Sequence, residues 1–470
     1  MGPDTPQIHF GSVIDVLKPD PTTGLSGHLA FVSTFLLSRG AHLALNGDIV
    51  VVSADTPTDM LRYMQDVTGA EISFAKAPTP EPLYTTQLLD SIHSASPNGH
   101  TLTPYHQSPN IGQWAQKNGI QMTHTPAEKL QTLMPMIDNK AHFRRVAKKL
   151  GMPVMDQVTV SFQDEDSTSK SMQAISRMIL ENGGVYIQSS NSGGGLGNLD
   201  LRYSAETKTW YSTTFGQDDK PATYTDFKDV ADEVGHWLVE AEKLGSTEVL
   251  IAPFIAELIE SPTVSAYIPP LGHGDPVIYG YFDQIVNPET RAYQGFRWPI
   301  SETASGVNPN YLYRESMKWF RYIQQQGYIG NADVDYAIGK VYQHGEPITI
   351  TASESNVRMD AFRLPLQHAY RVAGGVIDPR NLADLPSLQV PHIKAFDHVH
   401  TSASTITELI QALTAAGIPI IGQNRSAGFN PSRGIVAIAS PLGGEVALAM
   451  IGESPEDTNT TLEAAIAAVS

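Results

Sequence analysis

Apolar residues in the first third of the chain alternate between a strand-like and a helical spacing. Short apolar or β-branched runs predict buried strands, and longer runs with a period of about 3.6 residues predict helices. The predicted strands lie at residues 8–10 and 48–52, the helices at 28–37 and 56–68, and loops rich in Pro, Thr, Ser and Asn at 77–82 and 98–107. This alternation predicts a small layered α/β domain over residues 1–135.

The rest of the chain continues to mix the two patterns. Predicted helices lie at 140–150, 224–244, 314–325, 405–416 and 454–468, and predicted strands at 185–187, 248–255, 262–268, 277–286, 333–338, 348–353, 418–423 and 434–439. The first of these helices is expected to end at Gly151, with Pro153 just beyond it. We expect one unit over residues 136–365 and another over residues 366–470.

Composition narrows the classes of partner. The 470 residues include 49 Asp and Glu against 31 Lys and Arg, and the net charge of -18 disfavours nucleic acid and anionic membranes. The absence of cysteine excludes disulfides, thiolate metal sites and a cysteine nucleophile. No apolar run is long enough to span a membrane and the first residues lack a secretory pattern, so the cytoplasm is the expected location.

The segment after the strand at 348–353 carries the most informative polar pattern. Alternation along an extended chain puts Glu354, Asn356 and Arg358 on one side, and Asp335 lies on the preceding strand. Carboxylate and amide oxygens are ligands for Mg²⁺, and an arginine beside them suits a transferring phosphoryl group or an oxyanion. An ordinary charged strand face is the alternative for the three side chains alone.

A glycine-rich stretch follows the strand at 185–187. Gly193, Gly194, Gly195 and Gly197 come directly after Gln188 and a run of Ser and Asn. Such a turn lets backbone N–H groups approach phosphates closely, although a flexible hairpin is the alternative. The stretch is neither a P-loop, since no Gly-Lys-Ser/Thr follows, nor a dinucleotide-binding fingerprint.

These segments, in this order, resemble the ATP-grasp superfamily over about residues 136–365. The matching segments are 139–154, which opens with Asn139-Lys140, then 185–197, 248–255, 330–338, and the closing E-x-N-x-R at 354–358. The resemblance implies a mixed α/β and α+β protein, with an ATP-grasp fold preceded by a Rossmann-like α/β domain. It also implies a lid subdomain at about 140–245 and a metal-binding subdomain at about 246–365.

The resemblance further implies ATP and Mg²⁺ and a set of site residues. These are Lys140 and Arg358 as catalytic groups; Lys140, Gln188, Gly193, Gly194, Gly195, Gly197, Ala252, Phe254, Ile255 and Glu260 for ATP; and Asp335, Glu354 and Asn356 for the metal. Within the superfamily the chain is most similar to the pheganomycin-type peptide-ligase branch, which has a small C-terminal piece like residues 417–451. The implied substrates are a carboxylate and an amine, as amino acids or peptides.

Two departures from the family pattern leave an alternative open. Gln188 stands where the family usually has Lys, and Ala252 stands where the hinge usually has a polar residue. Lys140 could supply the main positive charge, and Glu257 or Glu260 could take over contacts with the ribose. If neither compensates, the protein is a nucleotide-binding regulator without turnover. A carboxylase-like ligase is a further alternative, although no biotin-attachment segment is visible.

Three remaining side chains have weaker signals. His398 and His400 would share one face of a strand, and we interpret them as structural or substrate-contacting because no third metal ligand is evident. Arg297 is a candidate clamp for a substrate carboxylate, and a loop arginine satisfied by its surroundings is the alternative. The sequence leaves the oligomeric state open, with a homodimer as one candidate.

Overall fold

The fold is taken from a computed structural model. It describes residues 6–11, 37–77, 85–95, 100–191, 197–214, 222–243, 245–287, 293–300, 303–341, 348–375, 377, 391–422, 433–441 and 443–470. The predicted helix at 28–37 and loop at 77–82 fall almost entirely outside these residues, as do Gly193, Gly194 and Gly195. None of the helices in the described part combines the length and the apolar character needed to cross a membrane.

The N-terminal part forms a parallel sheet flanked by helices. Its elements are β1 Gln7–Phe10, β2 Ile49–Ser53, α1 Thr58–Thr68, β3 Ser73–Ala77, α2 Thr86–Ala95, β4 Thr101–Pro104, α3 Pro109–Lys117, β5 Gln121–Met122 and α4 Ala127–Ile137, with a 3₁₀ helix at Ser38–Leu43. The five strands run in the order β3-β2-β1-β4-β5 and are all parallel. The α/β layer, both predicted strands and the predicted helix at 56–68 are confirmed.

The predicted loop at 98–107 is wrong, because it contains strand β4. Every residue of this strand is buried, and the strand pairs in parallel with β1. Its polar composition is accommodated by a partner on β1, since Thr103 Oγ1 donates to Gln7 Oε1 at 2.6 Å. The composition of residues 98–107 predicted a loop, but pairing and burial in the parallel sheet make part of this segment a strand.

The middle part is a six-stranded antiparallel sheet. Its elements are α5 Lys140–Lys149, β6 Val158–Ser161, α6 Ser167–Asn182, β7 Gly184–Ser189, β8 Asn198–Ser204, β9 Thr209–Thr214, β10 Ala222–Tyr224, α7 Phe227–Lys243 and β11 Glu248–Pro253. The strand order among the described residues is β10-β9-β8-β7-β11-β6. Ile175 of α6 and Val234 of α7 are buried against the sheet, which gives this layer its own apolar core.

The chain passes from the second sheet to the third at Phe254. The remaining elements are β12 Ile255–Glu260, β13 Pro262–Ile268, β14 Val277–Val286, β15 Tyr293–Trp298, α8 Pro309–Gln325, β16 Gly330–Val341, β17 Thr349–Glu354, α9 Arg363–Val372, β18 His392–His400, α10 Ile406–Ala415, β19 Gly434–Ala437, β20 Glu445–Gly452 and α11 Pro455–Val469. The single strand predicted at 248–255 is therefore two strands. Pro253 still pairs with Val185, and the Phe254 N–H donates to the carbonyl of Gly184, where β7 begins, whereas Ile255 pairs with Val341 of the third sheet.

The third sheet has nine strands in the described residues and continues into the C-terminal region. Its order is β12-β16-β13-β14-β15-β18-β20-β19, with β17 paired to β16. At the junction a Cβ on Gly295 would lie 1.9 Å from the carbonyl oxygen of Ala395, so only glycine allows β15 and β18 to approach this closely. The predicted strand at 418–423 is reduced to one bridge, Ile420 with Ile435, before the chain turns at Gly422 with φ +90°.

The two faces of the third sheet have different surroundings. Helix α8 covers one face, where its buried Trp319 and Phe320 share a core with Val264 and Val334. Strand alternation puts Asp333 and Asp335 of β16 on the other face. The acidic residues of this strand therefore lie away from the helix layer.

Candidate active site

Lys140 and Gln188 both contact one oxygen of Glu354. Lys140 Nζ lies 2.7 Å from Glu354 Oε2, and Gln188 Nε2 donates to the same oxygen at 3.0 Å. Burial alone would raise the pKa of Glu354, but the charges of Lys140, Arg358 and Arg144 together more than offset it, so the pKa is lowered and the carboxylate stays charged. Three elements that are distant in sequence, α5, β7 and β17, therefore meet at one carboxylate.

The start of helix α5 is bonded to the entrance of the glycine-rich stretch. Asn139 caps the helix, since its Oδ1 accepts from the His142 N–H at 2.8 Å. Its Nδ2 donates to Asn191 Oδ1 at 2.6 Å, and the Lys140 N–H donates to the Ser190 carbonyl at 2.9 Å. These bonds place Lys140 at the end of β7, where the glycine-rich stretch begins.

Only the far end of the glycine-rich stretch is within the described residues. The Ser189 N–H donates to the Gly197 carbonyl at 2.8 Å, so the stretch closes a hairpin between β7 and β8. Gly197 has φ +79°, a conformation that favours glycine. The contacts expected of Gly193, Gly194 and Gly195 with phosphates stay predictions.

A buried acidic cluster lies beside Glu354. Asn356 Nδ2 donates to Asp333 Oδ1 at 2.9 Å and to Asp335 Oδ2 at 3.0 Å. Burial, followed by the charge of Glu354, raises the pKa of Asp335 to about 7. The pKa of Asp333 is raised well above its usual value by burial and by the charge of Asp335. Asp333 and Asp335 therefore lack sufficient positive charge near them, which is the electrostatic environment of a cation site.

Two polar side chains that the sequence did not single out hold Asp335 in place. Thr263 Oγ1 donates to Asp335 Oδ1 at 2.5 Å, and Gln284 Nε2 donates to the same oxygen at 2.7 Å. They lie on the largely apolar strands β13 and β14, and both point to the face that carries Asp335. A polar residue inside an apolar strand is the only signal the sequence offered, and it does not say which neighbour the residue faces.

Arginine side chains complete the electrostatics of this region. The charges of Asp138, Asp333 and Glu354 act on Arg358, and its pKa is raised because they outweigh the effect of burial. Arg144, four residues after Lys140 on the same face of α5, donates from Nε to the Ser353 carbonyl at 2.6 Å. Sequence analysis missed Arg144, although its spacing from Lys140 was the available signal.

The segment at 354–358 alternates as the sequence predicts. Ser355 and Val357 are buried, and Trp319 Nε1 donates to Ser355 Oγ at 2.8 Å on the core side. Glu354, Asn356 and Arg358 are less buried and lie on the opposite side. The side chains proposed for metal and phosphate therefore share one side of the chain.

The donor set fits a hard cation in its chemistry. Asp335 and Glu354 supply carboxylate oxygens, and the raised pKa of Asp335 shows that a positive charge there would be stabilising. Asn356 directs its NH₂ group to the carboxylates, and turning the amide by half a rotation would present Oδ1 instead. Within the described residues, no three His, Asp or Glu side chains form a ready-made metal cage. Bound phosphate oxygens would therefore have to complete the coordination of a Mg²⁺ ion, as is usual for this ion.

The hinge residues lie where β11 leaves the second sheet. Ala252 is buried and pairs in register with Tyr186 of β7. Strand β6 pairs with β11 only as far as Ile251, so the described pairing of β11 beyond that point is to β7 alone. Phe254 is buried at the crossing, and Ile255 begins β12. The contacts with ATP expected of Ala252, Phe254 and Ile255 stay predictions.

Two predicted site residues are not brought to this cluster. Gln284 points to Asp335, so its neighbour Asp283 faces the opposite side of the sheet. Arg297 Nη2 lies 2.6 Å from Asp283 Oδ2 on that opposite side. Glu260 accepts from the Ala304 N–H and Ser305 Oγ, and its charge acts on Asp283. The substrate role predicted for Arg297 and the ATP role predicted for Glu260 have no support from this arrangement.

The other acidic and histidine candidates lie on the surface. Glu257 Oε2 accepts from Lys340 Nζ at 2.8 Å in an exposed ion pair. His398 and His400 are exposed on β18, and His398 Nδ1 lies 2.9 Å from Glu445 Oε2. These contacts agree with a structural role for His398.

Several solved structures are similar in fold. Biotin carboxylase from Campylobacter jejuni has a TM-score of 0.56 at 14% identity, with 90% of this chain and 86% of that chain covered. The N5-carboxyaminoimidazole synthase of Aspergillus clavatus has a TM-score of 0.55 at 10% identity, with 98% and 97% covered. The chain has the ATP-grasp fold. No protein-family model and no curated protein matches the sequence.

The ATP-grasp fold explains the three sheets. The parallel sheet agrees with the Rossmann-like domain expected before the ATP-grasp unit. The biotin carboxylase domain of the Hydrogenobacter thermophilus 2-oxoglutarate carboxylase is similar as well, with a TM-score of 0.54 at 12% identity and coverage of 90% of this chain and 84% of that chain. That protein is described in complex with MgADP, ADP and bicarbonate.

Proposed function

We propose that this protein is an ATP-dependent carboxylate–amine ligase that works through an acyl phosphate and releases ADP and phosphate. The observation that carries the proposal is the convergence of Lys140 and Gln188 on Glu354, beside Asp335 and Asn356. A cluster of this kind pairs a triphosphate-binding cation with acidic metal ligands. In a purely structural network, fewer buried carboxyl groups would lack a compensating positive charge.

The roles of the residues follow from their positions. Lys140 and Gln188 bind phosphate oxygens, and the glycine-rich stretch covers the triphosphate. Asp335, Glu354 and Asn356 hold Mg²⁺, which neutralises phosphate charge when it is bound. Arg358 stabilises the phosphoryl group in transfer to the substrate carboxylate. An amine then attacks the acyl phosphate, so no covalent protein nucleophile is required.

The two departures from the family pattern are compatible with turnover. The family usually has a second lysine at the position of Gln188. Here Gln188 contacts the same carboxylate oxygen as Lys140, so one full positive charge is already present at this point. Arg144 adds a further charge next to Glu354. Ala252 contributes through its backbone, for which the side chain matters little. These points favour an active ligase over a nucleotide-binding regulator.

Amino acids or peptides are the proposed substrates, from the resemblance to the pheganomycin-type peptide-ligase branch. A second candidate is bicarbonate as the acid, which would make the product a carbamate. It is favoured by the similar carboxylating enzymes, whose fold covers nearly the whole chain. The two candidates differ only in the acid that is phosphorylated.

The test is a screen for ADP and phosphate release with product masses measured. Pools of amino acids and dipeptides serve as acid and amine, and parallel wells contain bicarbonate with the amines alone. ADP with an amide mass supports the proposal, and ADP that depends on bicarbonate supports the second candidate. Production of AMP and pyrophosphate would identify an adenylating enzyme and overturn both.

A further inference from the structure

The N-terminal parallel sheet has a topological switch point next to the acidic site. Strands β2 and β3 extend from β1 in one direction, and β4 and β5 extend in the other. Ligands of open α/β sheets bind in the crevice at the carboxyl ends of the two strands where the order reverses. Those ends are joined here, because the Tyr105 N–H donates to the Phe10 carbonyl at 2.8 Å. His106 is the next residue after Tyr105.

His106 is held by a carboxylate. Its Nε2 lies 3.3 Å from Asp138 Oδ2, and the other oxygen of Asp138 accepts from the Val357 N–H at 3.3 Å. Burial alone would raise the pKa of Asp138, but the bond to His106 and nearby positive charge lower it, so Asp138 is ionised. An ionised carboxylate can only accept, so Nε2 carries a proton, and in the neutral imidazole the lone pair is then on Nδ1.

One guanidinium connects this pair to the proposed phosphoryl site. His106 and Arg358 form an antiparallel backbone bridge, so the two residues are adjacent. Arg358 experiences the charges of Asp138, which holds His106, and of Asp333 and Glu354, which belong to the acidic cluster. Arg358 therefore adjoins both His106 and the acidic cluster, and an acyl phosphate bound by its guanidinium would be close to both.

Amide formation needs a proton acceptor at this place. The amine nitrogen uses its lone pair to form the C–N bond. The bond between the acyl carbon and the phosphate oxygen breaks, and phosphate leaves with the electron pair of that bond. The nitrogen must also lose a proton. Glu354 is bonded to Lys140 and Gln188. Asp335 accepts from Thr263, Gln284 and Asn356, and Asp333 accepts from the backbone N–H and the side-chain amide of Asn356, so the carboxyl groups of the cluster are engaged. Among the described residues, His106 Nδ1 makes no hydrogen bond.

We propose that His106 Nδ1 accepts the proton of the attacking amine, with Asp138 as the residue that positions the imidazole. This inference rests on the proposed ligase function and assigns it a general base. It also places the amine on the side of the N-terminal sheet, at the switch point. The acceptor class is a primary amine that enters as its ammonium. His106 takes the first proton, which frees the lone pair for attack, and the departing phosphate takes the second proton after the C–N bond has formed.

The test compares two nucleophiles in the full-length protein. Hydroxylamine is largely unprotonated at neutral pH and traps the acyl phosphate as a hydroxamate, whereas an amino acid amine needs a base. In His106→Gln, which keeps a side-chain donor for Asp138, we expect hydroxamate formation to persist. Amide formation at pH 7 should fall by about a hundredfold to ten-thousandfold, and the deficit should shrink as the pH rises above the amine pKa.

Two further variants separate catalysis from folding. His236→Gln removes an exposed histidine on α7 and should behave as wild type in both assays. Asp138→Asn keeps the imidazole but removes its charged partner. It should therefore move the acidic limb of the pH–rate profile, whereas the loss of a merely structural hydrogen bond would leave that limb in place. It also serves if His106→Gln fails to fold.

The outcomes distinguish this inference from the proposed function. Equal losses of hydroxamate and amide in His106→Gln, or no loss of either, would overturn the role of His106 while the ligase assignment stands. Absence of ADP, hydroxamate and amide with the wild-type protein across the amino acid pool would instead overturn the ligase assignment itself, and the inference with it.

Discussion

Lys140 and Glu354 form a mostly buried ion pair, with Lys140 Nζ 2.7 Å from Glu354 Oε2, between the first helix of the ATP-grasp unit and the end of strand β17. The pair joins helix α5 to the strand that ends in the proposed metal ligand Glu354. Breaking a buried pair by removing one partner leaves the other charge uncompensated. The pair is therefore a sensitive point for both nucleotide binding and local stability.

The first prediction concerns Glu354. Glu354→Gln should abolish ADP release, because it removes a proposed metal carboxylate and leaves Lys140 without its partner. The measurement is ADP formation in the substrate screen, with thermal unfolding to verify the fold. Glu240→Gln, which breaks an exposed ion pair with Lys243, is the matched control and should leave activity unchanged. Full activity in Glu354→Gln would remove the catalytic assignment from this residue.

The second prediction concerns Gln188. Gln188→Lys restores the family's usual residue and places a second cation beside Lys140. If the site binds a triphosphate, a charge-assisted bond should tighten ATP binding by about tenfold, which corresponds to about 1.4 kcal/mol. Titration calorimetry with Mg²⁺ and ATP measures this change. Weaker ATP binding in Gln188→Lys would mean that no phosphate lies at this position.

The third prediction concerns the pH dependence of metal binding. The pKa of Asp335 is raised to about 7, so below that pH the carboxyl carries a proton that Mg²⁺ must displace. The apparent affinity for Mg²⁺ should fall by about tenfold per pH unit below pH 7 and level off above it. Mg²⁺ titrations of the ATP-bound protein between pH 5.5 and pH 8.5 test this. A constant affinity across that range would exclude Asp335 as a ligand.

The fourth prediction concerns acid stability. His42 Nδ1 lies 2.7 Å from His368 Nε2, and burial lowers the pKa of His42 to about 3. The folded protein keeps His42 neutral while the unfolded chain takes up a proton below pH 6.5. The contribution of neutral His42 to the free energy of unfolding is complete above pH 6.5. It is lost as the pH falls toward 3, by about 1.4 kcal/mol per pH unit.

The matching variant is His42→Gln, whose side-chain amide can still donate to the Ile438 carbonyl, as His42 Nε2 does. It should be less stable at pH 7.5 but lose less stability between pH 7.5 and pH 5 than the wild type. Chemical denaturation at both pH values gives the difference. An identical pH dependence in wild type and variant would show that His42 is not the titrating group.

The local patterns in the sequence determined most of the elements around the site. The strands at 262–268 and 277–286 were predicted with the bounds that the structure shows. Alternation alone predicted that Glu354, Asn356 and Arg358 share a side. These features depend on residues close in sequence, where the period of apolar positions reports directly on backbone conformation.

Other features could not follow from local patterns. The sequence of β4 predicts a loop because Thr and Pro residues suit turns. Only the pairing of this segment with β1 makes it a strand. The split of 248–255 into two strands depends on which sheet offers a partner after Pro253. Sheet membership is a long-range property, and the composition of one segment does not contain it.

By itself, the sequence supplied the candidate residues for phosphate and metal and determined which of them share a side of one strand. The tertiary structure decided which of those sides face each other. It brought Lys140 and Gln188 to Glu354, and it put Arg297 and Glu260 with Asp283, away from Asp335. The physical reason is that alternation defines two faces of a strand, whereas the pairing of β13, β14 and β16 and the cover of α8 decide which face is buried under a helix and which is left for a ligand.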